Sequence, residues 1–173
     1  MKKKVLITGM SGLIGGLLKN HLLESSEYEL KALNRRKVDG IDSHQADIAE
    51  LKTIKPAFEG QDVVVHLAAY LDSQDWEGNH AGNVLGAYNV FEASRQAGVK
   101  RVIFASSGSA VKGFESISPY KEITGGLYDD VPEGFPMIKH DQFWPDSLYG
   151  ATKIWGEVLG RHFSDHYDMS IIC

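Results

Sequence analysis

The chain has a single cysteine, Cys173, so no disulfide can form within it, and this scarcity fits a reducing compartment. No apolar run approaches the roughly 20 residues that a membrane-spanning helix needs. The basic start, Lys2-Lys3-Lys4, is followed by neither the apolar region nor the cleavage site of a secretory signal peptide. Together these absences predict a cytoplasmic protein that has no membrane partner.

The chain also lacks a basic excess. Its formal net charge is -5 at pH 7, whereas nucleic-acid-binding proteins usually show a basic excess or stripe. A nucleic-acid partner is therefore not expected. The 173 residues are 43% hydrophobic and 24% charged, which indicates one globular domain with its own core.

Short β-favouring runs alternate along the chain with segments that have apolar residues at helical spacing. The predicted strands are 5–7, 29–33, 62–67, 101–105 and 169–173, and the predicted helices are 13–23, 51–58, 83–96 and 147–163. Residues 108–145 are rich in Gly, Pro, Ser and Asp, which predicts long, substrate-facing loops. The alternation predicts an α/β fold, a Rossmann-type doubly wound parallel sheet.

A Gly-x-x-Gly-x-x-Gly loop lies between the first predicted strand and the first predicted helix. Its first glycine permits a sharp turn, its second lets backbone approach a pyrophosphate, and its third lets the helix pack on the sheet. Amides and the dipole at the helix N-terminus attract phosphates. The loop is therefore predicted to bind a dinucleotide, the alternative being a tight turn without a ligand. The residues concerned are Gly9, Ser11, Gly12, Leu13, Ile14 and Gly15.

Asn34, Arg35 and Arg36 follow the second predicted strand, where dinucleotide-binding folds usually place an acid for the ribose 2′-hydroxyl. No carboxylate there would repel a 2′-phosphate, and guanidinium groups bind phosphates well. The cofactor is expected to be NAD or NADP, and the arginines favour NADP, although surface arginines also occur without a ligand. Asp47, which precedes Ile48, is placed either to reach the adenine amino group or to cap the next helix.

Tyr149 and Lys153 are four residues apart in a predicted helix, so their side chains lie on one face. A lysine ammonium favours the phenolate form of a nearby tyrosine, which could then transfer protons near neutral pH. Chance alone supplies this spacing in many chains of similar composition. The pair therefore gains its meaning from the glycine loop upstream.

Six motifs follow one another along the chain: the glycine loop, Asp47-Ile48, His66-Leu67-Ala68-Ala69, Asn83, Ser106-Ser107 and Tyr149-x-x-x-Lys153. Their order resembles that of the extended short-chain dehydrogenase/reductases, the NAD-dependent epimerase/dehydratase family. The stretch from Pro145 to Lys153, with Gly156-Glu157 after it, is most similar to uronate-dehydrogenase-like members. The resemblance implies a dinucleotide-binding Rossmann domain over residues 1–173. It also implies that this domain is incomplete, because family members continue past such a final strand into a C-terminal substrate region.

The resemblance also implies a Ser/Tyr/Lys mechanism. Tyr149 would exchange a proton with the substrate, Lys153 would favour its phenolate and hold the nicotinamide ribose, and Ser107 would polarise the reacting oxygen. Ser109 stays an alternative to Ser107, because the stretch after the strand is one residue longer than in the family, and Lys112 replaces an aromatic residue there. The remaining residues implied at the cofactor are Leu67, Ala68, Ala69, Asn83 and Ser106.

The expected function is that of an NAD(P)-dependent oxidoreductase, epimerase or dehydratase acting on a sugar, uronic acid or sugar nucleotide. The alternative is a cofactor-binding module or a truncated fragment without turnover. His66 is expected in the core. His162 and His166 share a helix face, but no metal is expected, because no third ligand is suggested and the family that the chain resembles needs none. A homodimer through the helices of Asn83 and Ser147 is expected by resemblance only.

Overall fold

The computed structural model describes residues 2–173, so Met1, the first residue of the predicted domain, lies outside the described residues. One parallel sheet contains the strands β1 (Lys3–Thr8), β2 (Tyr28–Asn34), β3 (Asp42–Gln45), β4 (Val63–His66), β5 (Arg101–Phe104) and β6 (Ser170–Ile172). Their order is β3-β2-β1-β4-β5-β6. Because the order reverses between β1 and β4, the sheet is doubly wound, and the predicted Rossmann-type fold is confirmed.

Helices cover both faces of this sheet. The α-helices are α1 (Leu13–Leu23), α2 (Leu51–Phe58), α3 (Trp76–Asn79), α4 (Gly86–Gln96), α5 (Tyr120–Thr124) and α6 (Leu148–His166). A π-helical segment, His80–Leu85, joins α3 to α4, and short 3₁₀ turns cover Gly108–Ala110, Lys112–Ser116 and Tyr128–Asp130. Within residues 2–173, no helix is both long and apolar enough to cross a membrane.

The core has two layers because successive strand residues point to opposite faces. Leu6, Val64 and Val102 are fully buried on the face that α2, α4 and α6 cover. On the other face, Ile7 and Val65 pack towards α1. Burying one such side chain stabilises the fold by roughly 1.5–3 kcal/mol. The strands β1, β4 and β5, which carry these side chains, therefore form the stable centre of the sheet.

The strand β3 was not predicted, since its sequence, Asp-Ser-His-Gln, is polar throughout. It pairs in parallel with β2, from Lys31 opposite Asp42 to Asn34 opposite Gln45. β3 is an edge strand with one neighbour, so its pairing depends on main-chain hydrogen bonds rather than on apolar side chains. This is the physical reason that its sequence carries no strand pattern.

The helix predicted over 83–96 is wrong at its start, because helical structure begins at Trp76. The Asp75 carboxylate caps this start by accepting hydrogen bonds from the amides of Glu77 (3.1 Å) and Gly78 (3.3 Å). The cap determines where the helical structure begins. The sequence pattern did not predict this start, because the residues after Asp75 lack apolar residues at helical spacing. The predicted loop region 108–145 likewise contains short helical turns between irregular stretches.

Candidate functional site

A cavity of about 790 Å³ opens at the carboxyl ends of β1, β2, β4 and β5. This is the edge at which doubly wound sheets bind ligands, and the volume suits a cofactor. The structure brings most of the sequence-predicted cofactor residues together in its lining. They are Gly9, Ser11, Gly12, Leu13, Ile14, Gly15, Asn34, Arg35, Asp47, Ile48, Leu67, Ala68, Ala69, Ser106, Tyr149 and Lys153.

The glycine loop turns sharply from β1 into α1. Gly9 has φ +72°, a left-handed conformation that favours glycine, and a Cβ there would lie 2.6 Å from the amide nitrogen of Ala68. A Cβ at Gly15 would lie 2.5 Å from the carbonyl oxygen of Gly9, so the loop and α1 pack without a side chain between them. The N-terminus of α1 therefore meets the cavity, where Leu13 is 82% exposed.

Asn34 holds this loop from the end of β2. Its Oδ1 accepts a hydrogen bond from the amide of Met10 at 2.9 Å, and its Nδ2 donates one to the hydroxyl of Ser11 at 2.6 Å. The side chain is buried, so it points into the protein. Arg35 and Arg36 line the cavity and are exposed, and no ion pair among residues 2–173 engages either guanidinium.

Asp47 lines the same cavity but does not cap α2, which corrects one of its two predicted roles. Its Oδ1 accepts a hydrogen bond from the amide of Ala49 at 2.9 Å, and α2 begins later, at Leu51. The carboxylate thus closes a local turn within the loop. This turn keeps Asp47 and Ile48 at the cavity wall.

Tyr149 and Lys153 lie in the first part of α6, which Ser147 caps by accepting a hydrogen bond from the amide of Gly150 at 3.1 Å. Lys153 is buried, and its Nζ lies 5.5 Å from the centre of the Tyr149 ring. The Nζ donates a hydrogen bond of 2.8 Å to the main-chain oxygen of Ala105. Burial lowers the pKa of the Lys153 ammonium to about 8.

The serines after β5 have different surroundings. Ser106 lines the cavity and donates its hydroxyl hydrogen bond to Oε1 of Glu157. Ser107 and Ser109 are half-buried and are not among the lining residues, and the Ser107 hydroxyl accepts a hydrogen bond from the amide of Ser109 at 3.2 Å. Lys112 forms an ion pair with Asp146 at 3.4 Å.

Asn83 lies beneath the cavity wall and is not itself a lining residue. Its Oδ1 accepts from the amide of Tyr70 (2.8 Å), and its Nδ2 donates to the carbonyl oxygen of Tyr70 (2.9 Å) and the hydroxyl of Thr152 (3.1 Å). The π-helical segment is thereby tied to the loop after β4 and to α6.

Tyr70 also lines the cavity, although no sequence motif predicted it. Its hydroxyl donates a hydrogen bond of 2.7 Å to Asp75, and this bond raises the pKa of Tyr70. Its ring packs where a side chain on Gly78 would be, and its Cβ lies 3.1 Å from where a Cβ on Gly82 would be, so the loop packs closely against the helical segment. The available signal was its position directly after the predicted cofactor residues Leu67, Ala68 and Ala69.

His66 is a core residue, as predicted. It is 1% exposed, and its Nδ1 shares a hydrogen bond of 2.7 Å with the hydroxyl of Thr8. Burial, followed by the charge of Lys153, lowers the His66 pKa to about 3, so the ring is neutral near pH 7. The rings of His162 and His166 are 4.4 Å apart, and residues 2–173 contain no group of three potential metal ligands.

The doubly wound sheet, the glycine loop at a helix N-terminus and the cavity at the switch point define a Rossmann-type domain. A comparison with protein families matches residues 5–173 to the NAD dependent epimerase/dehydratase family. The chain therefore belongs to this family, which confirms the resemblance seen in the sequence.

Individual relatives agree with the family. The chain is 29% identical to L-arabinose 1-dehydrogenase (NAD(P)(+)) of Haloferax volcanii over 98% of its own length and 64% of that protein. It is 30% identical to uronate dehydrogenase of Agrobacterium fabrum over 95% of its length and 57% of that protein. A uronate dehydrogenase variant from Agrobacterium tumefaciens, solved with NAD, superposes with a TM-score of 0.79 at 26% identity, covering 99% of this chain and 59% of that one. The chain thus spans about three fifths of the length of these relatives.

Proposed function

We propose that residues 1–173 form a dinucleotide-binding domain of an NAD(P)-dependent enzyme that oxidises or reduces a sugar-type substrate. The observation that carries the proposal is that Tyr149 and Lys153 line the same cavity as the glycine loop. Within the family, the dehydrogenase names of the relatives favour a sugar or uronic acid dehydrogenase over an epimerase or dehydratase.

The residues present fit a dinucleotide. A cavity of about 790 Å³ with a glycine-formed wall leaves room for a pyrophosphate beside the N-terminus of α1. Asp47 and Ile48 would hold the adenine end, and Arg35 and Arg36 would hold a 2′-phosphate by charge-assisted hydrogen bonds. The two arginines therefore favour NADP over NAD as the cofactor.

In the proposed chemistry, the bound nicotinamide supplies the acceptor or donor of a hydride at the reacting carbon. During oxidation Tyr149 would take the proton of the substrate hydroxyl, and during reduction it would return that proton. Lys153, which lines the cavity beside Tyr149, would hold the nicotinamide ribose. Ser107, which is half-buried next to the cavity-lining Ser106, would donate a hydrogen bond to the reacting oxygen, where charge develops.

A second candidate is a cofactor-binding module without turnover. The specific observation in its favour is that the chain spans only 57% of the uronate dehydrogenase relative. Under this alternative the glycine loop binds the dinucleotide, while no sugar is oxidised.

The test measures binding and turnover separately on the same chain. Fluorescence titration with NADH and NADPH measures binding, and absorbance of the reduced nicotinamide measures turnover over a panel of aldoses, uronic acids and nucleotide sugars. Saturable binding with turnover that Tyr149→Phe abolishes is the expected result. Binding without turnover supports the module, and equal turnover in Tyr149→Phe contradicts the mechanism. Absence of binding to either cofactor overturns both candidates.

We propose a homodimer, both from the family resemblance and from one exposed apolar surface. Leu85, Tyr88, Trp155 and Val158 are each at least 39% exposed on the adjoining helical segments before α4, in α4 and in α6. The indole nitrogen of Trp155 donates a hydrogen bond of 3.2 Å to the carbonyl oxygen of Val84, so these helices meet there. Sedimentation of the chain as a dimer, and of Val158→Glu as a monomer, is the expected outcome. A monomeric unchanged chain would remove the proposal.

A further inference from the structure

Glu157 lies on the same face of α6 as Tyr149 and Lys153, because the three residues follow one another at intervals of four. α6 approaches β5 closely here, since a Cβ on Gly156 would collide with the ring of Phe104. This close approach brings the Glu157 carboxylate to the carboxyl end of β5. Glu157 is half-buried there and does not itself line the cavity.

The Glu157 carboxylate accepts a hydrogen bond from the hydroxyl of a cavity-lining serine. Ser106 donates its hydroxyl hydrogen bond to Oε1 of Glu157. Because a serine hydroxyl has one proton and two acceptor lone pairs, Ser106 presents only lone pairs to the cavity. One turn earlier on α6, Lys153 holds the main-chain oxygen of Ala105. Two side chains from one helix therefore hold two successive residues at the strand end.

Ser107 is in the opposite situation. Its hydroxyl oxygen accepts a hydrogen bond from the amide of Ser109, which leaves the hydroxyl proton of Ser107 unused by that bond. Of the two neighbouring serines, only Ser107 can therefore donate to a reacting oxygen while the bond between Ser106 and Glu157 is intact. Ser106 is therefore available to the cavity as an acceptor, and Ser107 is available as a donor.

We infer that Glu157 is a positioning residue that acts through Ser106 at the nicotinamide end of the cavity, an inference that rests on the proposed function. By engaging the serine proton, the carboxylate keeps Ser106 as an acceptor for an amide or hydroxyl donor on the nicotinamide half of the cofactor. The adenine half would be held by Asp47 and the arginines after β2, so the loss of Glu157 should not weaken its binding.

The test compares two ligands that differ in the nicotinamide. NADH carries it, and ADP-ribose lacks it while retaining the adenosine and the pyrophosphate. Glu157→Ala is expected to weaken NADH binding about two- to tenfold, the range of one hydrogen bond, and to leave ADP-ribose binding within twofold. Ser106→Ala should do the same, and the double variant should be no weaker than either single variant.

Two further variants separate positioning from folding. Glu157→Gln keeps an oxygen that can accept the serine proton, so it should retain most of the NADH affinity. Asp165→Ala removes an exposed carboxylate from the same helix and should change neither affinity. Equal weakening of NADH and ADP-ribose by Glu157→Ala, or additive losses in the double variant, would overturn the inference alone. Failure of the unchanged chain to bind either ligand would overturn the proposed function and this inference with it.

Discussion

The amide nitrogen of the Asn34 side chain donates a hydrogen bond of 2.6 Å to the hydroxyl of Ser11, which joins the end of β2 to the glycine loop. The same side chain also accepts the amide hydrogen of Met10, a residue that is 1% exposed. Asn34 therefore occupies the position of the usual ribose-binding acid while its side chain serves the loop. The groups that remain for a 2′-phosphate are the arginines that follow it.

The first prediction concerns this loop contact. Asn34→Ala should lower the free energy of unfolding by about 2 kcal/mol, because it leaves the buried amide of Met10 without a partner. It should also weaken NADH binding, since the loop is held less firmly. Urea unfolding and fluorescence titration measure the two effects. Asn20→Ala, an exposed asparagine on α1, is the matched control. Equal behaviour of the two variants would contradict the role given to Asn34.

The second prediction compares two adjacent glycines of α1. Gly15→Ala should lower the free energy of unfolding by about 2 kcal/mol, because its Cβ would lie 2.5 Å from both the Gly9 oxygen and the Met10 Cα. Gly16→Ala should instead raise it by about 0.5–1 kcal/mol, since a Cβ there meets nothing within 4 Å and alanine favours helix. Urea titrations of both variants check the pair. A Gly15→Ala chain as stable as the unchanged one would refute the close packing.

The third prediction concerns the choice between cofactors. Substituting alanine for both Arg35 and Arg36 should weaken NADPH binding about tenfold, because the charge-assisted hydrogen bonds to the 2′-phosphate are lost. NADH binding should stay within twofold, because that cofactor has no 2′-phosphate. Lys37→Ala removes an exposed charge from the next position, which does not line the cavity. Equal losses for both cofactors, or for the Lys37 control, would exclude recognition of a 2′-phosphate.

Local sequence patterns predicted much of the fold and of the site. α1 and α2 have the predicted limits, and Tyr149 and Lys153 share one face because their spacing alone determines it. β3 was missed because a polar edge strand is held by main-chain pairing with β2. The inward direction of Asn34 was missed because its partners lie in the loop after β1. The partnership of Ser106 with Glu157 likewise depends on how closely α6 approaches β5.

The last prediction concerns the stability of the chain at alkaline pH. Burial depresses the pKa of Lys153 from 10.5 to about 8. Between these values the unfolded chain binds a proton that the folded chain has released, so this lysine makes the free energy of unfolding rise with pH. The depression corresponds to roughly 3 kcal/mol. Below pH 8 the charged lysine lowers stability by this amount, and the cost disappears progressively towards pH 10.5.

Cys173 acts in the opposite direction. Burial, followed by the charge of Glu157, raises the pKa of its thiol from 9.0 to about 11, so the folded chain keeps a proton that the unfolded chain loses. The measurement therefore uses a Cys173→Ser background and compares urea unfolding from pH 7 to 10.5 with and without Lys153→Met. Methionine has a similar shape and no charge. Stability should rise with pH more steeply in the chain that keeps Lys153. Identical slopes in the two chains would mean that Lys153 keeps an ordinary pKa in the fold.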